Sequence, residues 1–95
     1  MSKYKKVFDE MRYQNKQAFD SFKEIHDQFA MQPNKWREEF NEKGEEIQMI
    51  IRRYENQLCS HSENGGFGKF TGNLSEKFWG EIRKVFPKID EIGVQ

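Results

Sequence analysis

The chain has one cysteine, two prolines, no net charge and no long apolar run. Cys59 has no second cysteine to pair with, which excludes an internal disulfide scaffold. A reducing, cytoplasmic setting is the simplest expectation. No apolar stretch approaches the roughly 18 residues of a membrane span. The opening Ser2-Lys3-Tyr4-Lys5-Lys6 leads directly into an amphipathic pattern and does not read as a secretory leader. Sixteen basic residues are matched by sixteen acidic ones. The broad basic field that holds a dedicated nucleic-acid binder is therefore missing. Leucine occurs only twice, at Leu58 and Leu74.

Phenylalanine takes leucine's place. The chain has nine, and aromatics make up 15% of its 95 residues. A core built from so few, large side chains suits one small domain. Charge is spread along the whole length. Only residues 32–51 lean acidic, through Glu38, Glu39, Glu42, Glu45 and Glu46. There is no internal repeat and no low-complexity block.

The apolar periodicity predicts three helices. Tyr4, Phe8, Met11, Asn15, Ala18, Phe22, Ile25 and Phe29 recur at spacings of three and four, the stripe of an amphipathic helix over about 2–29. Val7, Phe19 and His26 widen that face. Met31-Gln32-Pro33-Asn34 is a turn signal. Trp36, Phe40, Ile47, Ile50, Ile51, Tyr54 and Leu58 define a second helix over about 34–59, interrupted at Lys43-Gly44. Gly44 either admits a close neighbour or weakens the helix. Four glycines make 60–72 a loop. Leu74, Phe78, Ile82, Val85 and Phe86 give a third helix over about 73–86, which Pro87 stops. The expected fold is all-α: a three-helix antiparallel arrangement within one domain, a long hairpin with a shorter third helix.

A short third helix leaves part of the hairpin uncovered. Tyr13, Met49 and Trp79 fall off or at the edge of the apolar stripes and are the expected partner-binding residues. The expected occupant is another protein or a second copy of the chain. The weaker alternative is a nucleic-acid or phosphate ligand held by Arg52, Arg53, Phe67, Lys69 and Phe70. Glycine-rich backbone, a cation and aromatic faces suit anions and stacked bases. The stretch lacks true phosphate-loop spacing. Glu63 stands where the first glycine belongs, and Phe70 where a serine or threonine must follow Lys69.

Catalytic and metal-binding readings fare worse. Cys59 and His61 could form a nucleophile–base pair or two metal ligands, but two ligands do not complete a zinc site. Glu24 and Asp27 point to solvent by their helical positions. His26 is expected at the edge of the core with its polar tip in water. No catalytic residue, metal or cofactor is expected. The sequence reads as a small helical interaction module.

Overall fold

A computed structural model describes the backbone of residues 3–63 and 68–93, with the side chains of 59–63 and 68–73 left out. Every described element is helical. There are four α-helices, α1 (Lys3–Gln14), α2 (Lys16–Met31), α3 (Pro33–Glu63) and α4 (Gly68–Val85), and one 3-10 turn, Ile89–Glu91.

The expected count of three is corrected to four because the first helix breaks at Asn15. Its backbone leaves helical geometry (φ −123°, ψ 36°). Its side-chain amide donates to the Met11 carbonyl at 3.0 Å and to the Tyr54 hydroxyl at 3.4 Å. Asparagine competes with the helix for its own backbone acceptors, and here a tertiary partner secures that competing conformation. Pro33 opens α3 rather than preceding it. Proline needs no N–H at a first helical position, and it forces Gln32 out of the α region.

The second expected helix also lengthens. Residues 59–63 contain neither glycine nor proline, and α3 continues through them to Glu63. The fourth helix starts at Gly68, so Gly68–Gly72 is helix and not the expected loop. Glycine in a helix costs about 1 kcal/mol but does not forbid one. Residues 64–67 lie outside the described residues. At a rise of about 1.5 Å per residue, the 31 residues of α3 match the molecule's 46 Å long dimension.

The arm formed by α1 and α2 lies antiparallel along α3. Phe29 stacks on Phe40 with centroids 4.0 Å apart, and further along Asn15 meets Tyr54. The last helix, α4, packs along both, antiparallel to α3 and parallel to the arm. Trp79 and Ser75 reach Glu55, while Phe86 meets Phe22 at 5.1 Å and Phe19 at 6.0 Å. Seven phenylalanines (8, 19, 22, 29, 40, 78 and 86) are buried, alongside Met11, Ile47, Ile51, Leu58, Ile82 and Ile89. Each buried ring contributes about 2–3 kcal/mol of transfer free energy.

The chain then folds back over α3. Ile89 is buried, and Ile92 lies on Gly44. A β-carbon at Gly44 would stand 2.6 Å from the Ile92 side chain. The close-approach reading of Gly44 is the one the structure adopts. Gly93 takes a left-handed φ of 86° and donates its N–H to Asn41 Oδ1 at 2.9 Å. Arg37 lies over the Phe29 ring at 4.7 Å and bonds the Glu91 carbonyl at 3.4 Å.

Candidate functional site

Each long helix has two flanks beside its buried stripe. On α2, Phe19, Lys23 and His26 turn toward α4 and the segment after it. Lys23 Nζ donates to the Val85 carbonyl at 3.2 Å, and His26 Nε2 accepts the Lys88 backbone N–H at 3.1 Å. Ala18, Ser21, Ile25 and Gln28 lie on the opposite flank, separated from Lys23 by about 140° or more at 100° per residue. On α3, Arg37, Gly44 and Glu55 face α4 and the returning chain. Trp36, Glu39, Lys43, Glu46 and Ile50 line the flank away from them.

These second flanks meet along a seam that α4 does not cover. One depression, of about 300 Å³, is lined by Ile25, Glu39, Glu42, Lys43 and Glu46. Another lies between Ile25 and Trp36, with Glu24 and Gln28. A third, of about 470 Å³, sits at the Asn15 break and reaches Ala18, Ser21 and Ile47. A fourth, of about 360 Å³, continues between Lys3, Lys6, Val7, Glu10, Gln57 and Leu58. Among the described residues, none from α4 lines any of the four. Val7, Ala18, Ile25, Trp36 and Ile50 are half-buried and pack on the core from this side.

The seam's charges are divided along its length. Beside Val7, two lysines (Lys3, Lys6) accompany one glutamate, Glu10. Toward the α2–α3 turn, Glu24, Glu39, Glu42 and Glu46 surround one cation, Lys43, which pairs with Glu46 at 3.7 Å. Between them Lys16 is bonded to Asp20 at 2.7 Å.

Several polar groups on the covered flank are committed internally. His26 is 3% exposed, which corrects the expectation of a histidine tip in water. Its Nε2 accepts from Lys88, so the ring proton sits on Nδ1 and is donated to Asp27 Oδ1 at 3.1 Å. That hydrogen bond, with the one from Lys23, holds the Asp27 carboxyl below its ordinary range. The Arg83 guanidinium, bonded to Asp90 at 2.8 Å, lowers the Asp90 carboxyl in the same way. Glu55 accepts from Ser75 and from Trp79 Nε1, the latter at 2.9 Å.

The sequence-predicted partner residues lie on three different helices, Tyr13 on α1, Met49 on α3 and Trp79 on α4. Tyr13 is 80% exposed on α1 and Met49 65% exposed on α3, each about 200° around its helix from a buried residue, Met11 and Ile47. Trp79 is half-buried, and its indole N–H is taken by Glu55. Arg52 and Arg53 are exposed on α3. Phe67 lies outside the described residues, as do the side chains of Cys59, His61, Lys69 and Phe70. Among the described residues no three of His, Cys, Asp and Glu converge to hold a metal ion, and no helix is long and apolar enough to cross a membrane.

Periodicity does not single out the seam, because Ile25 and Trp36 belong to the same stripes as the core. The discriminating signal is position within the stripe. Seam residues sit at its edge, beside glutamates and glutamines. Compared with known proteins, the chain matches no family model, and no curated protein or solved structure matches it at a significant level.

Proposed function

We propose that this chain is a small, non-enzymatic protein-interaction module and that the seam between the α1–α2 arm and α3 is its binding surface. The observation that carries the reading is the run of half-buried apolar residues, Val7, Ala18, Ile25, Trp36 and Ile50, on a flank that no element covers among the described residues. Two parallel ridges with a groove between them are what a partner helix or hairpin packs into. An aromatic anchor at Trp36, ringed by polar groups, suits a contact whose centre is dry and whose rim is wet. Tyr13 and Met49 remain accessible for secondary contacts outside the seam. With a single cysteine, a reducing cytoplasmic setting belongs to the same proposal.

The test places a photo-crosslinking amino acid at position 25 of the full chain in its native host, with the same group at position 20 as control. Asp20 is exposed on α2 away from the seam. The expected result is a discrete protein adduct from position 25 and not from position 20. Irradiation that yields no protein adduct from position 25, or equal smears from both positions, overturns the proposal.

A further inference from the structure

The seam is charged in opposite senses at its two ends, and the arrangement is complementary to itself when reversed. Lys3 and Lys6 mark one end. Glu24, Glu39 and Glu42 mark the other, where Lys43 is already paired with Glu46. By helical rise the ends lie about 27 Å apart, measured from Val7 to Ile25. A basic partner helix would be attracted at one end and repelled at the other, and an acidic helix would meet the reverse. A surface that carries both signs in the reversed order is satisfied along its whole length.

We propose that the occupant of the seam is a second copy of this chain, lying face to face and antiparallel to the first, with a two-fold axis near Gln17 and Ile50. This rests on the seam being a binding surface and adds the identity and register of what binds. Each copy contributes two ridges, the arm and α3, so the contact forms a four-helix layer. The middle of the seam carries Ala18 and Ser21, whose short side chains let two copies approach closely. Ile25 and Trp36 of each copy lie toward the acidic end and meet the Val7 end of the other. Lys3 and Lys6 of each copy then lie at the acidic end of the other, formed by Glu24, Glu39 and Glu42, twice over, as an isologous contact requires. The chain's zero net charge leaves no long-range repulsion to oppose the pairing.

The experiment is light scattering on the full chain across a concentration series, at low and high salt, with two charge-swapped variants. In K3E/K6E both seam ends become acidic, and in E39K/E42K both become basic. All four positions are exposed, and none of these side chains forms an ion pair among the described residues, so circular dichroism is expected to show unchanged helix content in both variants. The wild type is expected at twice its 11.5 kDa mass, with weaker association at high salt. Each variant alone is expected to associate at least about tenfold more weakly. An equimolar mixture is expected to recover the dimer, because every acidic end then meets a basic one.

A wild type that stays at the monomer mass up to about 1 mM overturns the proposal. So does a dimer that ignores both swaps, or swapped variants that fail to rescue each other. The crosslinking result separates the two readings. A monomeric chain whose position 25 captures a different protein retains the binding surface and loses the second copy. A monomeric chain with no adduct loses both.

Discussion

On the flank of α2 and α3 that α4 covers, the apolar residues are large and nearly inaccessible, and Lys23, His26, Arg37, Asn41 and Glu55 each bond α4 or the chain after it. Phe19, Phe22 and Phe86 form one ring cluster, with His26 edge-on to Phe86 at 5.5 Å. On the other flank of the same helices the apolar residues are half-buried and, Trp36 apart, smaller, and charges line the rim. The two flanks differ in what sits on them, not in hydrophobic period. A helical stripe reports that a face is apolar. Complementary polar bonds report that a particular neighbour is meant to be there.

The largest test of this contrast compares one deletion on each flank. Phe86→Ala removes a fully buried ring from the covered side and is expected to cost about 3–5 kcal/mol by denaturant unfolding. Ile25→Ala, measured in dilute solution where the seam is bare, is expected to cost about 1 kcal/mol, because its side chain is already half in water. Equal losses would mean the open flank is as tightly packed as the covered one, and the distinction would fall.

Much of the core is legible in the sequence. Phe8, Met11, Phe22, Phe29, Phe40, Ile47, Ile51, Leu58, Phe78, Ile82 and Phe86 stand on the predicted stripes and are buried, because burial and period are two views of one constraint. The break at Asn15 was not legible, since asparagine also occupies unbroken helices and only the Tyr54 hydroxyl tells the difference. The burial of His26 depends on the Lys88 amide, 62 residues away, and no local pattern encodes such a partner. The seam escaped for a related reason. Residues outside the stripe, such as Tyr13 and Met49, look spare in a linear reading, whereas Ile25 and Trp36 look like core until α4 is placed on the other side.

A smaller effect comes from adding volume instead of removing it. Gly44 lies under Ile92, and a β-carbon there would have no room. Gly44→Leu is expected to push the 88–93 segment off α3. The overpacking cost of about 1–3 kcal/mol is offset by the roughly 1 kcal/mol gained in helix propensity, for a net loss of up to about 2 kcal/mol. The counterpart on the open flank is Ser21→Leu. Ser21 is exposed beside the seam, and the extra side chain is expected to change monomer stability by less than about 0.5 kcal/mol. The Ile92 methyl resonances provide a direct reading. They should move in Gly44→Leu and hold still in Ser21→Leu; the opposite pattern would remove the docked tail from the account of the covered flank.

The smallest expected effect is a pH dependence that ties an exposed carboxylate to the buried side. Asp27 is 56% exposed, yet its carboxyl is held below the ordinary value of 3.8, first by the His26 hydrogen bond and then by Lys23. A carboxyl whose pKa is lower in the folded state adds stability that is complete above its unfolded value. That stability is lost as pH falls through the folded one. The gap in unfolding midpoint between wild type and Asp27→Asn is therefore expected to be constant from neutral pH down to about pH 5 and to close below about pH 4. Solvent screening keeps it small. In a His26→Phe background the leading cause of the shift is gone, so the gap should shrink at every pH and close nearer the ordinary value. A gap that persists unchanged without His26 would show that Asp27 answers to Lys23 alone, and that the hydrogen bonding of the covered flank ends at the buried ring.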